Sequence, residues 1–256
     1  MLTVGELFAG IGGIGLGFER AGGGGRFRVE WQVERNKWKR RVLAKHWPGV
    51  RRHDDVETFP PADGTDWAVD VITGGFPCVD ISIQGKRQGM QGERSGGGWN
   101  EFTPIIRTVG PRIVVVENVA EITIRGMDDV LGDLAGMGFN AEWRVLDASD
   151  FGVRQARRRM FVVGYWSGEN VADADRRVGQ VAHERPKLHQ EHKSRPIGGE
   201  QPVPNGMRIV KRVSDGVDIG RRIAACADAV VPAVAQYVAE SILEHEREGN
   251  TNVGNH

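Results

Sequence analysis

The stretch LFAGIGGIGLGFERAG, at residues 7–22, decides the fold. It follows the strand-like run LTVGELF (2–8), and its later apolar residues recur at helical spacing. Gly10, Gly12 and Gly15 match a G-x-G-x-x-G pattern, in which glycines permit a tight turn into a helix and a close approach of the backbone to a ligand. A strand, a glycine turn and a helix in this order predict the first unit of a ligand-binding sheet.

Strand-like and helical patterns alternate through the rest of the first two thirds of the chain. The further strand-like runs are rich in β-branched residues and occupy 26–33, 69–75, 112–119, 141–147 and 160–166. Helical patterns occupy 38–47, 127–138 and, near the end, 232–248. The alternation predicts an α/β fold with a mostly parallel sheet and helices on both faces.

The pattern changes after Trp166. Residues 167–212 contain four of the chain's 11 prolines and few apolar residues, which predicts a small polar module or a linker. We therefore expect a main domain at 1–166, this small module at 167–212, and a segment at 213–248 whose helix packs back on the main domain.

Composition excludes several classes of protein. The chain has 256 residues, 39% of them hydrophobic, and no apolar run near the ~18 residues of a membrane span. Cys78 and Cys226 are too few for a disulfide framework, and the amino terminus has no signal-peptide pattern. We expect a cytoplasmic protein.

The formal net charge is zero, but the charge is unevenly spread. Residues 1–151 carry 18 Lys or Arg against 21 Asp or Glu, whereas residues 152–222 carry 15 against 8. Residues 223–256 carry 1 against 5. The basic middle segment suits a phosphate backbone, and a solvated loop with surplus arginine explains it equally well.

Acidic residues after the second and third strands suit a nucleotide-like cofactor. Glu34 ends the second strand, 19 residues beyond Gly15, where a carboxylate can hold ribose hydroxyls. Asp55, in HDDV (53–56), could face the same crevice, although a turn or helix cap is the alternative. The glycines and Glu34 alone fit NAD, FAD or S-adenosylmethionine.

Two reactive side chains follow neighbouring strands. Cys78 closes GGFPC (74–78), just past a strand end, where open α/β sheets bind ligands. Glu117 lies in the apolar run VVVENV (114–119), where a carboxylate is costly unless it is used or paired. Consecutive strands are often neighbours, so the two could share a pocket; inert packing of Cys78 and a helix-capping Glu117 are the alternatives.

A run of polar residues precedes the last strand of the main domain. Gln155, Arg157 and Arg159 alternate within ASDFGVRQARRRMFVVG (148–164), so they share one face. Arginines there suit an anionic or carbonyl-rich ligand, or serve solubility alone.

Together, these motifs resemble the cytosine-C5 DNA methyltransferases of bacteria and phages. F-x-G-x-G-G, G-G-F-P-C, E-N-V and Q-x-R-x-R stand in the family's order, and the resemblance covers 1–166 and 213–244. It implies a Rossmann-like S-adenosylmethionine-dependent methyltransferase fold with a very small target-recognition insert at 167–212. It also implies double-stranded DNA as the partner; we expect a monomer and no metal.

The resemblance assigns roles to individual residues. Cys78 would add to C6 of a flipped-out cytosine, Glu117 would bond N3 and the exocyclic amine, and Arg157 would polarise O2, with Arg159 on the same face. The glycine-rich segment 85–98 would close over DNA as a mobile loop. The residues implied for the S-adenosylmethionine site are Phe8, Gly10, Gly12, Gly13, Glu34, Asp55 and Asp228.

The chain departs from the family pattern at three places. Val79 replaces a glutamine, Ala227-Asp228 replaces Gly-Asn, and the recognition region is unusually short. A cofactor- or DNA-binding relative without turnover is therefore an alternative, as is an RNA cytosine-5 methyltransferase. A nicotinamide oxidoreductase leaves Cys78 and the arginine strand unexplained.

Overall fold

A computed structural model describes residues 1–77, 95–153, 157–167 and 229–252, and contains one seven-stranded sheet. The strands are β1 (Leu2–Leu7), β2 (Phe27–Val33), β3 (Arg51–His53), β4 (Val71–Gly75), β5 (Ile113–Val119), β6 (Phe139–Asp147) and β7 (Arg158–Trp166). Their order is β3-β2-β1-β4-β5-β7-β6; β7 runs antiparallel to both neighbours, and the other pairs are parallel. The predicted, mostly parallel sheet is confirmed.

Helices cover both faces of this sheet. They are α1 (Gly13–Arg20), α2 (Lys37–His46), α3 (Ser95–Val109), α4 (Ile122–Arg125), α5 (Met127–Gly136) and α6 (Pro232–Asn252). One apolar cluster joins α1 and α6 to the sheet, and a second joins α3, α4 and α5 to the opposite face. None of the helices in the described ranges is long and apolar enough to cross a membrane.

Glycines allow α6 to lie directly on α1. A Cβ atom at Gly17 would collide with the carbonyl oxygen of Pro232, and Phe18, fully buried, lies in the same cluster as Val238 and Ile242. The C-terminal helix therefore covers the helix that follows the glycine turn.

The helix α3 was not predicted, because its sequence SGGGWNEFTPIIRTV contains three glycines and an internal proline, all poor helix formers. The expectation of a loop over 85–98 is wrong for residues 95–98, which form the first turn of α3. Trp99, Phe102 and Ile106 are at most 2% exposed, and Trp99 Nε1 donates to Asp133 Oδ2 of α5 at 2.7 Å. Tertiary packing here overrides the local propensity.

Candidate active site

The strand order changes direction at β1, which pairs with β2 on one side and β4 on the other. The crevice beyond the carboxyl ends at such a switch point is where open α/β sheets bind ligands. The loop that leaves β1 turns sharply, with φ of 52° at Phe8, 60° at Gly10 and 83° at Gly12. Among the described residues other than glycine, Phe8 alone has a positive φ. Such a backbone conformation is strained, and strain of this kind is typical of functional sites.

The glycines of this loop serve different purposes. A Cβ at Gly10 would have only the carbonyl oxygen of Phe8 nearby, at 3.9 Å, so the space beside Gly10 is open. A Cβ at Gly12 would collide with the ring of Trp47, and one at Gly13 with the carbonyl oxygen of Val230. Gly10 therefore leaves room for a ligand, whereas packing requires Gly13, and both packing and the positive φ require Gly12.

Glu34 connects the second strand to this turn. It is 9% exposed; its Oε2 accepts from Gly10 N at 2.8 Å, and its Oε1 accepts from Asn36 N at 2.7 Å. A carboxylate has about four acceptor positions, so capacity remains for ligand hydroxyls. Glu34 and the glycine turn, 24 residues apart, are thus joined into one wall of the crevice.

Two further residues predicted for the cofactor site contact other parts of the protein. Asp55 caps a short 3-10 turn (Val56–Thr58) by accepting from Glu57 N at 3.1 Å, and its carboxylate lies 3.8 Å from Arg35 Nε. This contact matches the helix-cap alternative for Asp55, and its role in the cofactor site stays a prediction. The ring of Phe8 stacks at 6.3 Å on that of Phe102 of α3.

Glu117 is the buried carboxylate at the end of β5. It is 8% exposed and stands in register with Gly75 of β4. Its Oε1 accepts from Arg159 Nε at 2.9 Å, and its Oε2 faces Gly75, where a Cβ atom would lie 2.5 Å away. Burial raises the pKa of Glu117 to about 7, against the opposing effect of Arg159 and Arg157.

Arg157 directly precedes β7 and Arg159 is the second residue of that strand, so the two lie on the same side of the chain. Both line a small cavity with Phe161 and Val230. The backbone of Arg157 is held at the end of β6, where its N–H donates to Asp147 Oδ1 at 3.0 Å. The two arginines thus flank Glu117.

Three predicted residues, Cys78, Gln155 and Asp228, lie outside the described residues. The backbone before Cys78 is fixed, because Phe76 is 3% exposed and its carbonyl oxygen accepts from Asn118 Nδ2 at 3.4 Å. Because β4 and β5 run parallel, their carboxyl ends lie side by side at the same end of the sheet. Cys78 follows three residues after Gly75, the partner of Glu117.

Sequence reasoning missed Glu6, a second buried carboxylate. It is 1% exposed, and it accepts from Gly15 N of α1 and from Gln32 Nε2 of β2, both at 2.7 Å. Burial raises the pKa of Glu6 to about 7, the two hydrogen bonds acting against that rise. The available signal was a single carboxylate in the apolar run LTVGELF, directly before the glycine turn.

No group of three or more His, Cys, Asp or Glu side chains within the described ranges is arranged to hold a metal ion. The polar groups of the crevice are carboxylates, guanidinium groups and backbone amides. They can bind hydroxyls, a positively charged ligand or the polar edge of a planar base.

Comparisons with known proteins identify the family of this chain. The model of the family described as C-5 cytosine-specific DNA methylase matches residues 2–215. Type II methyltransferase M.Bsp6I of Bacillus sp. (strain RFL6) is 33% identical over 172 residues, which cover 64% of this chain and 52% of that protein. Type II methyltransferase M.NgoBI of Neisseria gonorrhoeae is 35% identical over 164 residues, covering 62% and 49%.

Solved structures show the same fold. Dnmt2 methyltransferase of S. pombe superposes with a TM-score of 0.54 at 19% identity, covering 74% of this chain and 58% of that one. Spodoptera frugiperda DNMT2 gives a TM-score of 0.53 at 20% identity, covering 64% and 50%. The chain spans about half the length of the curated relatives it matches. The family model nevertheless matches most of its residues, and the chain belongs to the C-5 cytosine-specific DNA methylase family.

Proposed function

We propose that this protein is a DNA (cytosine-5) methyltransferase that transfers a methyl group from S-adenosylmethionine to C5 of a flipped-out cytosine. The observation that carries the proposal is Glu117, a buried acid bonded to Arg159 and in register with Gly75, three residues before Cys78. A nucleophile and a carboxyl group at one sheet edge suit covalent attack on a planar base.

The residues of the crevice fit S-adenosylmethionine. The open space beside Gly10 admits a ligand against the backbone, and the buried carboxylate of Glu34 retains acceptor capacity for ribose hydroxyls. When bound, S-adenosylmethionine supplies an electrophilic methyl group. Phe8, Gly10 and Glu34 would hold it, with Gly12 and Gly13 shaping the turn and Asp55 and Asp228 at the border.

Glu117 would activate the base. A neutral carboxyl group presents a donor beside an acceptor, which matches cytosine N3 beside its exocyclic amine. Because burial raises the pKa of Glu117 to about 7, the proton needed for the bond to N3 is available near neutral pH. Arg159 would orient the carboxyl group, and Arg157 would polarise O2.

Cys78 would form the covalent bond. Its thiolate adds to C6, and the electron pair of the C5–C6 double bond becomes available at C5. The methyl group would pass to C5 with loss of its bond to the sulfonium sulfur, which would keep that bond's electron pair. Loss of the C5 proton to a base then restores the double bond and expels Cys78 as the thiolate. The reacting atoms are hidden inside a duplex, so the cytosine must leave the base stack.

Labelled S-adenosylmethionine incubated with mixed-sequence duplex DNA tests the proposal. We expect label in 5-methylcytosine, and we expect Cys78→Ser to abolish turnover while it retains cofactor binding by calorimetry. The same assay with tRNA separates DNA from RNA modification. Folded, cofactor-bound protein that labels no DNA would overturn the proposal.

A further inference from the structure

The helix α2 and the strand β3 form a strongly basic part of the main domain. Residues 35–53 contain eight Lys or Arg residues and no Asp or Glu. The charge balance of residues 1–151 as a whole is acidic, so averaging over that range conceals this stretch. Its position, next to the crevice, makes it a candidate surface for an anionic partner.

Four of the five arginines in this stretch have partners elsewhere in the protein. Arg35 lies 3.8 Å from Asp55 and 3.9 Å from Glu57, and Arg51 donates to the carbonyl oxygen of Asp66 at 2.6 Å. Arg40 Nη1 donates to the carbonyl oxygens of Glu34 and Arg35, both at 2.8 Å, and Arg40 Nη2 lies 3.9 Å from Asp54. Arg52 Nη2 donates to the carbonyl oxygen of Leu43 at 3.1 Å. The bonds of Arg40 and Arg52 hold α2 against the neighbouring strands.

Lys37, Arg41 and Lys45, named here the α2 basic face, have a different environment. They are exposed and stand at i, i+4 and i+8 of one helix, so they point the same way. None of the three forms an ion pair within the part of the chain that the structure describes. Lys37 and Arg41 line an open groove whose one acidic lining residue, Asp54, lies 3.9 Å from Arg40 Nη2.

This arrangement weakens the isolated helix. Like charges four residues apart repel, and a cation in the first turn opposes the helix dipole. The Asn36 side chain already accepts from the amides of Trp38 and Lys39, so the side chains of the basic face, rather than helix N–H groups, are available to an anion. A row of phosphates would convert the repulsion into attraction.

We propose that the α2 basic face binds the phosphate backbone of duplex DNA that flanks the target cytosine, an inference that rests on the proposed function. Eight residues of helix span about 12 Å, the axial length of three to four phosphates of one strand. Four strand spacings separate β5 from β3, about 19 Å in all, which corresponds to roughly six base pairs. The contact therefore needs duplex beyond the target base.

The test compares the full chain with the triple variant Lys37→Gln, Arg41→Gln, Lys45→Gln. The matched control is Arg20→Gln, Arg26→Gln, Arg107→Gln. It removes the same charge from exposed residues near the amino ends of strands, at the other end of the sheet from the crevice. DNA affinity is measured against salt concentration on duplexes with about 12 or about 3 base pairs on either side of the target, lengths chosen around the six-pair estimate.

On the long duplex, the slope of log affinity against log salt should fall by about three for the α2 variant and stay unchanged for the control. On the short duplex, the α2 variant should match the unaltered protein. Cofactor affinity should stay unchanged, and the melting temperature should hold or rise, since the repulsion within α2 is gone.

The inference would be overturned if the salt slope of the α2 variant were unchanged, or if the control variant lost as much slope as the α2 variant. It would also be overturned if the α2 variant lost slope only on an RNA duplex of the same sequence. These outcomes differ from a failure of the proposed function. If the proposed function were wrong, the unaltered protein would transfer no methyl group to any DNA, whatever the salt dependence of its DNA binding.

Discussion

Glu6 and Glu117 are two buried carboxylates near the carboxyl ends of parallel strands in one sheet, and burial raises the pKa of each to about 7. Their partners differ. Glu6 is held by the backbone amide of Gly15 and by the amide of Gln32, with no cation bonded to it in the described residues. Glu117 is paired with Arg159, and its other oxygen faces the end of β4.

The difference shows how similar acidity can serve different tasks. The hydrogen bonds of Glu6 connect β1 and β2 to the first turn of α1, so this carboxyl group holds in place the helix that follows the glycine turn. Arg159 fixes one carboxylate oxygen of Glu117. The other oxygen faces Gly75 at the end of β4, three residues before Cys78. A shifted pKa alone therefore does not separate a structural carboxyl from a catalytic one; the partners do.

The largest expected effect belongs to Glu117→Gln. Glutamine keeps the shape and one acceptor but cannot donate an acidic proton to the base, so we expect kcat to fall by roughly 10³-fold, about 4 kcal/mol of activation free energy. Single-turnover methyl transfer with saturating cofactor and DNA measures this. Cofactor affinity should not change.

Glu6→Gln is the matched comparison for that variant. If it reduced kcat as strongly as Glu117→Gln, the distinction between the two carboxyls would be wrong. We expect near-normal kcat, because glutamine can still accept from Gly15 N, and Gln32 Oε1, which has no partner in the described residues, can accept from the new amide after a flip.

The effect of Glu6→Gln should instead appear in the pH dependence of stability. Between the ordinary carboxyl pKa of 4.5 and about 7, the folded protein holds a proton on Glu6 that the unfolded chain has released. Protonation thus contributes stability that is fully present below pH 4.5 and is lost as the pH rises to about 7, up to about 3 kcal/mol.

Chemical denaturation at several pH values tests this. The unfolding free energy of the unaltered protein should fall between pH 5 and 7, with Glu6 and Glu117 both contributing, and Glu6→Gln should remove about half of that fall. The exposed substitution Glu142→Gln serves as the control and should leave the slope intact. A slope unchanged by Glu6→Gln would show that Glu6 is ionised in the folded protein.

Much of the fold could be predicted from sequence, because buried parallel strands are short, β-branched and bounded by turn residues. Individual features that depend on distant contacts could not. The helix α3 forms despite its glycines because Trp99 and Phe102 enter the core. The antiparallel course of β7 is set by pairing with β5 and β6, which no local pattern encodes.

The candidate site also contains residues that the sequence predicts and features that only distant contacts reveal. Glu34 and Glu117 were predicted from their place at strand ends, and both are buried near the crevice. Gly12 and Gly13 match a ligand-binding motif, yet their immediate neighbours are Trp47 and Val230, from remote parts of the chain. Glu6 and the α2 basic face were missed, one because a lone carboxylate in a strand has no motif, the other because its charge was averaged over a long range.

The smallest predicted effect concerns how Arg159 controls Glu117. Arg159 lowers the pKa of Glu117 against the larger effect of burial, so Arg159→Gln should raise that pKa further. If the neutral form of Glu117 is the active one, activity is lost as the pH rises through its pKa. The alkaline limb of the kcat/KM profile should therefore move to higher pH, by on the order of one unit, while kcat falls through poorer orientation of the carboxyl group.

Arg158→Gln provides the control, because Arg158 is exposed and does not pair with Glu117 within the described residues. Its profile should match that of the unaltered protein. A limb that moves to lower pH in Arg159→Gln would mean that the ionised carboxylate is the active form. Glu117 would then act as an acceptor towards the base, and the donor to N3 would have to come from another group.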